Sequence, residues 1–189
     1  WAAVGGRPEW GPVKPGHAPP GTDGVGLLVL GQAVVAFFGR ADLSSADLED
    51  EDFTRWFGGL EEAVPPAAGS PLETMLVVGP AAFDAVGTTE AEAVPLVSNS
   101  ARRDALTLLY PSPMATADVV LATAGGGGVS KPLRELVGGG EGRTALTDTG
   151  WRVGAGNRPG MPPLAATSGL PSPGLLDALR GRWREVARR

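Results

Sequence analysis

The chain has 189 residues, 42% hydrophobic and 20% charged, with a formal net charge of −5, ordinary values for a folded protein of one medium domain or two small lobes. The absence of cysteine excludes disulfides, thiolate metal sites and cysteine nucleophiles together, and an acidic balance without a basic stripe argues against nucleic acid as a partner. Glycine and proline are abundant, at 29 and 18 residues, but they cluster between apolar periodic segments and read as turns and loops.

Residues Trp1 to Gly21 show no regular period and read as a connector, with Trp1 and Trp10 as packing anchors and a short extended piece around Trp10 to Lys14. An opening without an initiator methionine, a signal peptide or an apolar run of membrane-spanning length reads as a piece of something longer. The stretch from Gly16 to Phe38, GHAPPGTDGVGLLVLGQAVVAFF, then passes abruptly from a Pro/Gly-rich loop into an apolar segment. Thr22 or Asp23 stands where a helix N-cap belongs, and the spacing predicts a helix from Gly24 to Phe38, apolar nearly all round and stopped by Gly39. The unpaired first amides of such a helix suit an anion or carboxylate, and Gly24 and Gly26 let a ligand approach the backbone; a plain capped helix start needs the same residues.

A second helix is predicted after Leu43-Ser44-Ser45, with the acidic run Asp47 to Asp52 in its first turns and Phe53, Trp56, Phe57 and Leu60 on one face. The acids lack the alternating oxygen spacing and the glycine of a calcium loop, so they read as a solvated helix start. Ser70-Pro71-Leu72-Glu73 is a capping box with proline at the first helical position and opens a third helix. Phe83 to Gly87 reads as a short strand running into Thr88-Thr89-Glu90, which would cap a fourth helix through Val94 and Leu96. A strand that ends in glycine and threonines at a helix start is a place where a ligand can meet backbone amides at the carboxyl end of a sheet.

Leu106 to Tyr110 and Asp118 to Thr123 are two β-rich runs bent apart by Pro111 and Pro113. Gly125 to Gly128 followed by Ser130-Lys131 has the wrong order and spacing for a phosphate loop and reads as a connector. Two short helices are predicted at Leu133 to Val137 and Arg143 to Thr149, and Asn157 to Pro173 reads as a loop. The last helix, Leu175 to Arg188, gathers Leu175, Leu176, Leu179, Trp183 and Val186 on one side and Arg180, Arg182, Arg184, Arg188 and Arg189 elsewhere, basic residues that suit a helix C-terminus.

The single histidine, His17, has no cysteine or second histidine to work with, and no Gly-x-Ser-x-Gly elbow seats a serine nucleophile. Nothing in the spacing of the carboxylates marks a catalytic pair, so no catalytic residue, metal ligand or cofactor is expected.

Taken in order, Lys14-Pro15-Gly16-His17 through Thr22-Asp23-Gly24-Val25-Gly26-Leu27, Phe83-Asp84-Ala85-Val86-Gly87-Thr88-Thr89-Glu90, Leu108-Leu109-Tyr110-Pro111 with Ala117 to Leu121, and Leu133 to Val153 with Glu141-Gly142-Arg143 and Thr149-Gly150-Trp151-Arg152 resemble the type II extracellular solute-binding proteins. The resemblance is closest to the substrate-binding domains of actinobacterial transport-like proteins, some of which accompany a von Willebrand A domain, and it covers about residues 10 to 153 by motif order. It implies an α/β fold of the type II periplasmic-binding-protein kind, with the second lobe plus the C-terminal part of the first lobe. Residues 1-21 would be a connector, 22-110 the second, ligand-facing lobe, 111-156 the return crossover and the end of the first lobe, and 157-189 a loop and Arg-rich helix.

It further implies a non-enzymatic extracellular domain that holds a small-molecule ligand in an interlobe cleft for a membrane transporter. A lipid or fused-domain anchor on the outer face of the membrane belongs to the same expectation. The missing N-terminal part of the first lobe would come from elsewhere, since an uncovered sheet edge would otherwise be exposed. Carried over position by position, the ligand contacts are Thr22, Asp23 and Gly24 at one helix start and Thr88, Thr89 and Glu90 at the other. Asp23 would repel an oxyanion and favour a cationic or polyhydroxy ligand, or simply cap its own helix. A second reading makes the same lobe a sensor or protein-interaction module that has lost its ligand.

Overall fold

A computed structural model of the chain describes residues 1–66, 69–112, 114–118, 120, 130–154, 163 and 169–187. Most of the predicted β-run at Asp118 to Thr123, the glycine run Gly125 to Gly128, most of the 157–173 loop, and Arg188 and Arg189 lie outside them.

Short polar side chains decide where the helices begin. The Asp23 carboxylate accepts from the amides of Val25 and Gly26, which sets the start of helix α1, Gly24–Phe38, and Gly39 ends it in the left-handed conformation at φ 68°. Helix α2, Glu51–Glu62, starts later in the acidic run than expected. Asp47–Glu49 forms a separate 3₁₀ turn, and Asp50 caps α2 by accepting from the Phe53 amide. Ser70 caps helix α3, Pro71–Val78, through the Glu73 amide, and Ser172 caps the last helix, Pro173–Val186, through the Leu175 amide. Between them lie α4, Glu90–Ser98, α5, Ser130–Gly138, and α6, Gly140–Asp148, so the last helix is α7.

Among the described residues the sheet is one pair of two-residue strands, β1 at Pro15–Gly16 and β2 at Ala85–Val86, parallel in the register Pro15 to Ala85 and Gly16 to Val86. The expected extended piece at Trp10 to Lys14 is displaced to Pro15–Gly16, and Pro8–Trp10 is a 3₁₀ turn. The β-rich run Leu106 to Tyr110 carries no ladder; Arg103–Ala105 ahead of it is a 3₁₀ turn and Leu109 faces water.

The chain divides into two compact units, Trp1–Thr89 with Gly169–Arg189, and Glu90–Ser168. The division falls at Glu90, and residues 1–21 and helix α7 belong to the first unit. Its core explains why. Leu30 and Val34 of α1, Leu48, Phe53 and Phe57 of α2, and Leu175 and Leu179 of α7 form one buried cluster. Helix α1 has apolar residues on every side, and α7 supplies a face that chain-local structure cannot. Gly31 makes the approach close: a Cβ there would lie 2.8 Å from the Leu176 side chain. Phe37, Phe38, Phe53, Trp56 and Phe57 pack ring to ring, with Phe53 and Phe57 stacked at 5.4 Å and Phe37 and Trp56 tilted to one another at 4.8 Å.

The second unit has a thinner interior, in which Ala93 of α4 is buried. Pro95 interrupts the α4 hydrogen-bond ladder and leaves the Ala91 carbonyl without its helical donor. Gly150, at φ 93°, packs against that carbonyl, and a Cβ there would lie 2.7 Å from it. Helices α5 and α6 form a pair joined through Gly139, whose amide donates to Glu135 O at 2.8 Å.

Phe53 is fully buried and touches Phe37, Phe38, Trp56 and Phe57. Phe53→Ala is expected to lower unfolding stability by about 3–5 kcal/mol, and Phe53→Leu by less than half as much, measured by urea denaturation followed by tryptophan fluorescence.

Candidate functional site

The parallel strand pair is short, but it sets the direction of two connections. Asp84 N donates to Lys14 O at 2.9 Å and Gly87 N to Gly16 O at 2.8 Å, which extends the ladder by one bond at each end. The Asp84 carboxylate closes the entry end. It accepts from the Lys14 amide at 2.9 Å and faces the Lys14 ammonium at 3.4 Å; burial works to raise its pKa, but these contacts outweigh it and hold the pKa below the ordinary carboxylate value. Because the strands are parallel, the segments His17–Asp23 and Gly87–Thr89 both leave the opposite end.

Both exits are packed tightly. A Cβ on Gly16 would lie 2.8 Å from the Phe83 ring, and one on Gly87 would lie 2.6 Å from the Val29 side chain of α1. The backbone just before Thr88 therefore runs against α1. Thr22 and Gly24 are exposed beside the start of α1, and Thr88 and Thr89 are half-buried.

Asp23 does not leave the start of α1 open to an anion. One carboxylate oxygen accepts from Val25 N at 2.7 Å and from Gly26 N at 3.0 Å, and its main-chain carbonyl accepts from Leu27 N at 3.3 Å. The donors expected to seat an anion are engaged by the chain itself. Gly26 is likewise covered from within: a Cβ there would sit 1.9 Å from the Ala18 carbonyl oxygen, so the close approach that the glycine permits is made by the loop. At Gly24 a Cβ would meet nothing within 4 Å.

Glu90 belongs to the second unit and is turned into it. Arg152 grips its carboxylate from two nitrogens, with Nε donating at 2.8 Å to one oxygen and Nη2 donating to the other. The Tyr110 hydroxyl donates to Glu90 at 3.1 Å. The two charged side chains are 7% and 16% exposed for Arg152 and Glu90. The Glu90 bond raises the Arg152 pKa against burial, which works to lower it; burial followed by the Glu90 charge raises that of Tyr110. Arg152 and Tyr110 lie in segments singled out from the sequence, but neither was expected to hold Glu90. The one signal available was that a buried carboxylate requires a cation.

His17 was read as a lone loop histidine. It is 9% exposed, with Nδ1 2.9 Å from the Ala18 carbonyl and Nε2 3.2 Å from the Glu61 carboxylate near the end of α2. The other Glu61 oxygen accepts from Trp183 Nε1 of α7 at 2.7 Å. Among the described residues, no group of three or more His, Asp or Glu side chains is placed to hold a metal ion, and no helix is long and apolar enough to cross a membrane.

No family model, curated protein or solved structure matches the chain.

Arg152→Met strands the Glu90 carboxylate in a mostly buried position and is expected to cost about 3 kcal/mol of stability. The double variant Glu90→Gln, Arg152→Met is expected to recover more than half of that loss, read by urea denaturation of the single and double variants side by side.

Proposed function

We propose that this chain is a non-enzymatic binding domain of the type II solute-binding kind, which takes a small polar ligand at the end of the β1–β2 pair where Thr22 and Gly24 lie on one connection and Thr88 and Thr89 on the other. The observation that supports it is the parallel register. Two helix-entering connections leave one end of a parallel pair, the edge at which α/β proteins hold ligands. The hydroxyls of Thr22, Thr88 and Thr89 suit an uncharged polyhydroxy ligand. An oxyanion is disfavoured, since Asp23 puts a carboxylate at the start of α1 and engages the first amides. Location on the outer face of a membrane, an anchor and delivery to a transporter rest on the sequence resemblance alone.

A second reading, an interaction module that has lost its ligand, is favoured by the apolar surface of the second unit, where Leu109 is 85% and Leu136 60% exposed. The two readings separate by thermal shift against sugars, amino acids and oxyanions. A ligand at a hundred times its dissociation constant stabilises the domain by about 2.7 kcal/mol. The expected result is stabilisation by a neutral polyhydroxy compound and none by phosphate or sulfate, with the shift lost in the Thr22→Val, Thr88→Val double variant. No stabilisation by any compound would overturn the solute-binding reading and leave the interaction module.

A further inference from the structure

Both ring nitrogens of His17 face oxygens that can only accept while Glu61 is ionised. Nδ1 meets the Ala18 carbonyl at 2.9 Å and Nε2 meets the Glu61 carboxylate at 3.2 Å. A neutral imidazole carries one N–H, so it can satisfy only one of these oxygens and turns a lone pair toward the other. The doubly protonated ring satisfies both. The setting is nearly closed to water, with the side chains of His17 and Glu61 6% and 7% exposed, so no solvent replaces a lost bond cheaply. Glu61 is held from its other side by the Trp183 indole N–H at 2.7 Å, a donor that fits a carboxylate and fixes its orientation.

The loop that carries His17 also buries Pro20 and packs against the helices around it. From α7, the Arg184 guanidinium reaches the Gly21 carbonyl at 3.4 Å, and the Trp183 ring packs under Gly21, where a Cβ would lie 2.8 Å from it. From α1, Gly26 lies under the Ala18 carbonyl. Among the described residues, the charged groups that reach the loop from the helices are Glu61 of α2 and Arg184 of α7.

We propose that His17, Glu61 and Trp183 form a proton-dependent latch that fastens the loop 17–22 to α2 and α7 while His17 is doubly protonated and releases it when the proton leaves. The latch goes beyond the ligand-binding reading and stands without it. It gives the single histidine of the chain a role that catalysis does not, and it bears on the loop that leads into Thr22 and Asp23.

The sign follows from the contacts. Burial, the largest single influence on His17, works to lower its pKa, but the Glu61 bond, the Ala18 carbonyl and the Glu61 charge together raise it above the ordinary 6.5. A raised value in the closed state means that the latch is complete below 6.5 and is lost as pH rises through the His17 midpoint. Between those two values the loop-opening constant rises by up to about tenfold per pH unit, and it levels off above the midpoint.

With one histidine in the chain, the imidazole Cε1–H gives one proton resonance, and its titration reads the latch directly. The reporters of the loop are the amides of Thr22 and Asp23, which donate to the Pro19 carbonyl at 3.1 and 2.9 Å; their exchange is measured as protection relative to the intrinsic rate at each pH. The expected result is a midpoint above 6.5 and protection of these amides that falls across the same pH range. Glu61→Gln, which keeps an acceptor for Trp183 but can donate to a neutral ring, is expected to lower the midpoint and flatten the dependence. Trp183→Phe, which leaves the ion pair, is expected to keep the midpoint above 6.5. A wild-type midpoint at or below 6.5, or protection that does not change across the titration, would overturn the latch, and both readings come from the unaltered protein.

Discussion

Helix α1 has no polar face, and removing it from water organises the first unit. Its fifteen residues bury Leu27, Leu30, Val34 and Val35, and each buried side chain of this kind contributes on the order of 1.5–3 kcal/mol. A helix with apolar residues all round cannot be covered by its sequence neighbours alone. Helix α2 covers part of it with Phe53 and Phe57. Another side is covered by α7, which returns from the far end of the chain and reaches α1 over Gly31, where a larger residue would push Leu176 away. The loop ahead of α1 is pressed onto its first turn at Gly26.

That packing carries polar groups inside with it. The loop brings His17, α2 brings Glu61 and α7 brings Trp183, and all three meet in a place nearly closed to water. Their mutual satisfaction is what makes the close approach of loop and helices tolerable, since an unpartnered buried donor or acceptor costs about 1–3 kcal/mol. At the other end of the loop, Asp23 closes the amides of α1 on itself. The two connections that leave the same end of the strand pair carry Thr22 on one side and Thr88 and Thr89 on the other.

The second unit rests on a different balance. Its interior is small, and the bidentate Arg152–Glu90 pair with the Tyr110 hydroxyl joins segments 62 residues apart in sequence. Gly150 brings the chain against α4 where Pro95 has freed the Ala91 carbonyl. Directional polar contacts define the relation of these segments more than apolar burial does, while Leu133, Leu136 and Val137 of α5 remain on the surface.

The ends of the helices were legible in the sequence because a cap is a contact between residues two or three apart. Asp23, Ser70 and Gly39 act as their positions suggested, and the bounds of α1 follow from them. The acidic run shows the limit of such reading: several carboxylates stood in line to cap α2, and the 3₁₀ turn at Asp47–Glu49 gave the place to Asp50. The sequence by itself determined that α1 is apolar nearly all round and therefore buried, that its start is capped, and that Phe53 and Phe57 share a face of α2. Which residues would cover α1, and which buried charges would meet, was decided only by the tertiary structure. Nothing local to His17 points to Glu61, 44 residues on, and nothing local to Glu61 points to Trp183 a further 122 residues away. Such pairs form because covering an apolar helix from several sides forces distant polar groups into one dry space, where each must find the partner that the packing brings to it.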